Sequence, residues 1–327
     1  MNMIKPIGIA ALLAMTALGA QAQEVGTIRI AEADTFSGED LIQLIAYERA
    51  KERGVEIELS SLRADDIVFQ AVLNGQVDMG VGDSYEPIVN LDAPVRNIYQ
   101  IRKLAYIPVA DKTLYPDWEA LDGEAFVVHA RGSGTETLAE IVATAKGIEF
   151  SEISYVPGSE VRVVAMQQGN IKATFLDMVS SKVLIDSDPE RFGRLPMDGV
   201  DASDSTLYVN ADFLAENGEA VQILLEELLK SAKATVADPS WPAAQREEFG
   251  LLPDLSDEEV ADITPYFEAA VAAGIFPTDG GGEAAATSDV LFLAQAGKLD
   301  PAMAEKLEKV WDFGPLDAAL KVADGDQ

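Results

Sequence analysis

The chain has 327 residues, and 56 acidic against 24 basic side chains give it a net charge of −32, which works against binding to nucleic acid or anionic lipid. It has no cysteine, which excludes a disulfide framework, thiol chemistry and a lipid-bearing cysteine. Its length suffices for two domains of ordinary size, each with a buried core.

At the amino terminus Lys5 precedes an apolar run from Ile7 to Ala20, and the small-residue pattern Ala20, Gln21, Ala22 follows. The run is shorter than the roughly 20 residues of a membrane-spanning helix, so it reads as a secretory signal peptide cleaved between Ala22 and Gln23. Cleavage leaves 327 less 22, or 305 residues, and the loss of Lys5 takes the net charge from −32 to −33. No second long apolar stretch follows.

Thr27 to Ala31 predicts a short strand, Gly38 to Arg53 has helical apolar spacing, and Val55 to Leu59 alternates again as a strand. Ala64 to Leu73 predicts a helix stopped by Asn74 and Gly75, and Val77 to Val81 a buried strand. The same order then returns. Ala125 to His129 is a strand, Thr135 to Lys146 a helix closed by Gly147, and Ile153 to Val156 a strand. Glu160 to Gln168 is a helix closed by Gly169, and Ile171 to Leu176 a strand. Ser37-Gly38 is echoed by Ser133-Gly134, and Asn74-Gly75-Gln76-Val77 by Gln168-Gly169-Asn170-Ile171, which aligns Asp83 with Asp177.

Two similar α/β lobes follow from this repeat. Asp204 to Asn210 predicts a strand returning to the first lobe, Ala211 to Val236 mostly helix, and Asp257 to Ala273, Asp289 to Ala296 and Met303 to Val310 further helices. The lobes are expected to be joined by a two-strand hinge, crossed near Leu104 to Pro108 and Asp204 to Tyr208. Lobe 1 is then 23–105 plus 205–327, and lobe 2 is 106–204. Ligand is expected in the crevice beyond the carboxyl ends of the strands.

Four motifs occur in order: Gly54-Val55-Glu56-Ile57-Glu58, Asn74-Gly75-Gln76-Val77-Asp78-Met79-Gly80, Leu121-Asp122-Gly123 and Arg131-Gly132-Ser133-Gly134-Thr135. With them, the segment from Ile28 to Leu184 resembles the substrate-binding proteins of nitrate, sulfonate, taurine and thiamine-precursor ABC importers. The resemblance implies a type II periplasmic-binding fold of two βα sandwich domains. It also implies a carrier in the periplasm, expected as a monomer, working with an ABC permease and its ATPase; the missing cysteine points to a free, soluble chain, and with export and one isolated histidine it argues against an enzyme, a cofactor or a metal. Two departures bear on the substrate: Lys172-Ala173-Thr174 where an acidic and two small residues are common, and an unusually acidic first loop, Glu32 to Ser37.

The strand-end loops supply the expected ligand contacts. From lobe 1 these are Asp34, Thr35, Phe36 and Ser37, then Asp83, Ser84 and Tyr85; from lobe 2, Arg131, Ser133, Gly134 and Thr135, then Gly158, Ser159, Glu160 and Asp177. A helix start at Gly134 suits an anionic group, the carboxylates suit a cation, and Phe36 and Tyr85 could form an aromatic wall. A small zwitterion or amine is therefore expected, with taurine-like amino-sulfonates the best single guess. His129, the sole histidine, reads as structural, Asp279 to Glu283 as a mobile connection, and Trp118, Trp241 and Trp311 as packing anchors. An enzyme on the same fold and a ligand-presenting sensory protein are the alternatives.

A mature amino terminus at Gln23 is the expected result of mass spectrometry on the exported protein, and a chain retaining residues 1–22 would mean an uncleaved anchor.

Overall fold

The computed structural model describes residues 25–33, 35–197 and 201–325, so the expected signal peptide, its cleavage site and Asp34 lie outside the described residues. No helix among those described is long and apolar enough to cross a membrane.

Two five-stranded mixed sheets follow one plan. In the first, β1 (Gly26–Ala33), β2 (Val55–Leu62) and β3 (Met79–Gly82) are parallel, with α1 (Leu41–Glu52) and α2 (Asp65–Leu73) between them. Next, α3 (Tyr85–Leu91) leads to β4 (Val95–Lys103), and the chain enters the second sheet at β5 (Ile107–Asp111). There β6 (Ala125–Val128), α4 (Gly134–Lys146), β7 (Glu152–Tyr155), α5 (Ser159–Gln167), β8 (Ala173–Leu176), α6 (Met178–Ser187) and β9 (Phe192–Arg194) repeat the alternation. The chain returns at β10 (Ser203–Asn210). It continues through α7 (Ala211–Glu216), α8 (Gly218–Ala237), α9 (Trp241–Phe249), α10 (Asp257–Ala272), α11 (Gly282–Gln295) and α12 (Gly314–Gly325).

The strand orders β2-β1-β3-β10-β4 and β7-β6-β8-β5-β9 correspond position by position, and the fourth strand of each sheet is the antiparallel one that arrives from the other. This is the α/β two-lobed architecture expected from the repeat.

The echoed turns are built from the same hydrogen bonds. After α2, Gly75 N–H donates to Val72 O and Gln76 N–H to Ala71 O; after α5, Gly169 N–H donates to Met166 O and Asn170 N–H to Ala165 O. Both glycines take a left-handed backbone, φ 67° and 78°, which a side chain would strain. Asp78 of the first turn accepts from the Arg29 backbone N–H at 2.8 Å and pairs with its guanidinium, while that guanidinium also bonds the carbonyls of Gly75 and Gln76. In the second lobe Lys172 replaces this aspartate. Arg191, paired with Asp111 at 2.7 Å, instead bonds the turn carbonyls of Met166 and Gln167.

Helix α8 buries Val221, Leu224, Leu225, Leu228 and Leu229 against the first sheet's helices, as its spacing predicts. Trp118 packs among Phe126 and Phe175 with its N–H on Pro196 O, and Trp311 donates to Tyr85 Oη; both are fully buried. Trp241 is half-buried beneath the Arg49 guanidinium.

Three expectations need correction. The outbound crossing lies between Lys103 and Ile107, but the return falls between Arg194 and Ser203, because Asp204 to Tyr208 is already held in β10 between β3 and β4. Met303 to Val310 is not one helix but two 3-10 turns, Pro301–Glu305 and Leu307–Lys309, since the Val310 carbonyl accepts from the backbone and side chain of Asn97 on β4. Asp279 to Glu283 is a packed turn rather than a loose connection: Gly280 O accepts from Gln100 N–H, and a Cβ on Gly280 would lie 2.7 Å from Leu316. That turn starts α11 at Gly282, seven residues before the expected Asp289.

Replacing Asp78 by Ala strands a part-buried N–H and a guanidinium, so a loss of about 1–3 kcal/mol is expected in urea unfolding.

Candidate functional site

The carboxyl ends of the parallel strands from both sheets face one cleft of about 560 Å³. The structure brings Thr35, Ser37, Asp83, Ser133, Gly134, Thr135, Gly158, Ser159, Glu160 and Asp177 to its lining, and these are ten of the fifteen expected residues. Four others stand outside the lining. Phe36 packs on the main core, Ser84 bonds Asn97 Oδ1 in the interior, and Tyr85 is buried with its hydroxyl donating to Asp289. Arg131 lies over the Tyr155 ring, 5.0 Å from its centroid. Asp34 is outside the described residues.

Several of the lining hydroxyls are committed to holding their loops. Ser133 does not cap α4; its Oγ donates to Ala130 O at 2.8 Å and meets Thr135 Oγ1 at 2.9 Å, and Thr135 Oγ1 accepts from the His129 N–H. Gly132 N–H donates to Glu136, which also takes the Tyr155 hydroxyl, so an acidic side chain already sits at the start of α4. Asp177 caps α6 by accepting from Ser180 N–H at 2.8 Å. Ser37 and Asp40 form a capping box before α1.

Sequence motifs did not point to the rest of the lining. Arg102, at the end of β4, pairs with Asp204 at 2.7 Å and Asp40 at 3.2 Å. Arg162 is fully buried and bonds the carbonyls of Val156 and Phe175 and the Ser159 hydroxyl, which fixes the ends of β7 and β8. Tyr106 from the outbound crossing and Tyr266 from α10 supply the aromatic surface expected of Phe36 and Tyr85, and α10 adds Glu259 and Asp262. His129 also faces the cleft rather than serving the interior alone.

The field in this space is negative. Among the described residues ten carboxylates line it: Glu32, Glu39 and Asp40 near β1, Asp65 and Asp83 beyond, Asp204 on β10, Glu259 and Asp262 on α10, and Glu160 and Asp177 from the second lobe. Burial, then the Asp40 charge, holds the Glu32 carboxyl well above the usual range, although Gln43 donates to it at 2.8 Å. Burial, then the Asp65 charge, does the same for Asp83. Glu39 is pushed up to about 8 by its enclosure in the cleft and next by Asp177, which stands in the other lobe. For Arg102, burial opposes the charge, but the Asp204 and Asp40 carboxylates outweigh it and its pKa is raised.

A carboxyl that keeps its proton up to about pH 8 when folded, but loses it near 4.5 when unfolded, is favoured at low pH. Its contribution to stability is complete below pH 4.5 and is lost as the pH rises towards 8, on the order of 1 kcal/mol per unit across that window. Glu39→Gln is therefore expected to flatten the fall in thermal midpoint between pH 5 and 8. Glu32 and Asp83, shifted the same way, leave part of the slope in place.

Residues 51–241 match the model of the NMT1/THI5-like family. No curated protein sequence matches the chain. A protein structure from Bordetella bronchiseptica RB50 is similar at 19% identity and TM-score 0.68, covering 91% of this chain and 98% of that one. The periplasmic nitrate-binding protein of Synechocystis PCC 6803 is similar at 12% identity and TM-score 0.65, covering 93% of this chain and 90% of that one. The alkanesulfonate-binding protein of Xanthomonas axonopodis pv. citri, bound to MOPS, is similar at 17% identity and TM-score 0.58, covering 89% and 99%. At such identities the likeness is one of fold, and it is the periplasmic-binding fold. The family match spans more than half of the sequence, and the chain belongs to the NMT1/THI5-like family.

Proposed function

We propose that the protein is the exported solute-binding component of an ABC importer, which encloses a small amine or zwitterion between two hinged lobes, one built on β1 to β4 with β10 and the other on β5 to β9, and delivers it to a permease and its ATPase. The observation that carries this reading is a cleft lined from both sheets by ten carboxylates, whose two guanidinium groups, on Arg102 and Arg162, are already bonded within the protein. Such a field concentrates cations. The likeness to the periplasmic nitrate-binding protein and the alkanesulfonate-binding protein supports a carrier in the periplasm, and the proposal takes it to act as a monomer without turnover.

A taurine-like amino-sulfonate remains the best single guess. Its ammonium would meet the carboxylates, and its sulfonate the first N–H groups of α4. The amine end has the stronger support, because Arg131 faces Tyr155 and Glu136 already occupies the start of α4. Recovery of unchanged ligand after incubation separates this reading from an enzyme on the same fold.

Closure has contacts on both rims. Lys298, following α11, reaches Thr137 Oγ1 and Glu140 on α4, each at 3.0 Å, while Met178 of α6 packs on the cluster around Leu41 and Phe267. Ligand that bridges the lobes would favour this closed arrangement.

Calorimetric titration with taurine, ethanolamine, putrescine, simple sulfonates and thiamine precursors is expected to give binding only by compounds with an ammonium or other cationic group. Asp177→Asn should weaken it about tenfold without changing the unfolding midpoint by more than a few degrees. Tight binding solely by an uncharged or purely anionic compound would refute the proposal.

A further inference from the structure

Within that cleft, one wall differs from the rest in how its charge is answered. Arg102 stands beside Asp40 and Asp204. Asp83, by contrast, feels the charges of Asp65, Asp289 and Asp204, and Lys298, the cation that counters them, is already engaged with Thr137 and Glu140. The fold presses Asp65 against this point: Gly82 has φ 140°, and a side chain on it would collide with the Asp65 carboxylate, which lies over the residue preceding Asp83. Strand β10 runs antiparallel to β3 with Thr206 opposite Gly82, so Ser205 and Asp83 are the next residues beyond that pair on their two strands, and both line the cleft. Ser205 is 5% exposed, lines the cleft, and its hydroxyl has no hydrogen-bond partner among the described residues. A buried hydroxyl with no partner costs free energy unless something in the cleft satisfies it.

We propose that Asp65, Asp83 and Ser205 form the subsite for a primary ammonium group of the ligand. The proposal rests on the carrier reading above and assigns the place and the substitution state of the cation. Three acceptor groups, two carboxyls and one hydroxyl, match the three N–H donors of a primary ammonium. A quaternary ammonium has no N–H to give them and prefers aromatic faces, and the cleft's Tyr106 and Tyr266 belong to the Glu39 side. An inorganic cation is less suited, since no group of three or more carboxylate or imidazole side chains among the described residues converges closely enough to hold a metal. Burial and next the neighbouring Asp65 charge raise the Asp83 pKa, and an ammonium group beside it would lower that pKa again.

The test is amide-resolved NMR titration of the full mature chain with propylammonium, trimethylpropylammonium and propane-1-sulfonate, and with calcium as the inorganic control. Propylammonium is expected to shift the amide signals of Asp83 and Ser205 and to bind at least about tenfold more tightly than the trimethyl compound. Asp83→Asn should weaken it by about tenfold or more, and Ser205→Ala by a few-fold. Should Asp83→Asn fail to fold, Asp65→Asn carries the same expectation. Equal affinity for the primary and quaternary probes, or unchanged affinity in the folded variants, would remove the subsite while leaving the carrier standing. Tighter binding of calcium at the same amides would overturn it in favour of a metal. Failure of every amine to bind would take down both readings.

Discussion

The guanidinium of Arg102 sits where the outbound strand β4, the returning strand β10 and the first cleft loop meet, and it holds all three through Asp204 and Asp40. Without it, two carboxylates would face each other at the base of a cleft that is already crowded with acid. At an effective dielectric near 20, unit charges about 4 Å apart interact by about 4 kcal/mol, so one arginine can offset two such neighbours but not ten. Burial first, and the remaining imbalance of charge second, explain why Glu32, Glu39 and Asp83 hold their protons more tightly than ordinary carboxyls do. The site is thus built around one internal ion pair cluster and a surplus of charge that a visiting solute can relieve.

The two lobes share a backbone plan more closely than they share side chains. Their helix-ending turns at Gly75 and Gly169 have the same hydrogen bonds, yet the carbonyls of those turns are bonded by arginines from unrelated positions, Arg29 on β1 and Arg191 before β9. The requirement is physical, namely that the last carbonyls of a helix find donors. Where Asp78 is replaced by Lys172, the second lobe meets that requirement through Asp111 and Arg191 instead.

This division also marks what could be read from the sequence. Glycine closures, β-branched alternation and the Asp83–Asp177 register are local signals, and they located the strands, the principal helices and the strand-end loops. The cleft residues that escaped notice come from segments without such a signal. Arg102 and Tyr106 flank a crossing, Ser205 sits inside a strand, and Glu259, Asp262 and Tyr266 arrive on α10, whose approach to the cleft is set by tertiary packing. Phe36 and Tyr85 stand outside the lining for a related reason: each neighbours the lining segment in sequence but turns the other way, into the core or towards Asp289. Arg131 is drawn off by an aromatic ring contributed by the following strand, β7.

Gly134 opens α4 at the cleft, and a single added carbon there would come within 2.7 Å of Leu104, at the start of the outbound crossing. The helix start that lines the cleft is therefore packed directly against the first residue of the crossing. Cleft wall and crossing thus meet at one contact, and its partner atom is the free end of a leucine side chain, which can turn aside.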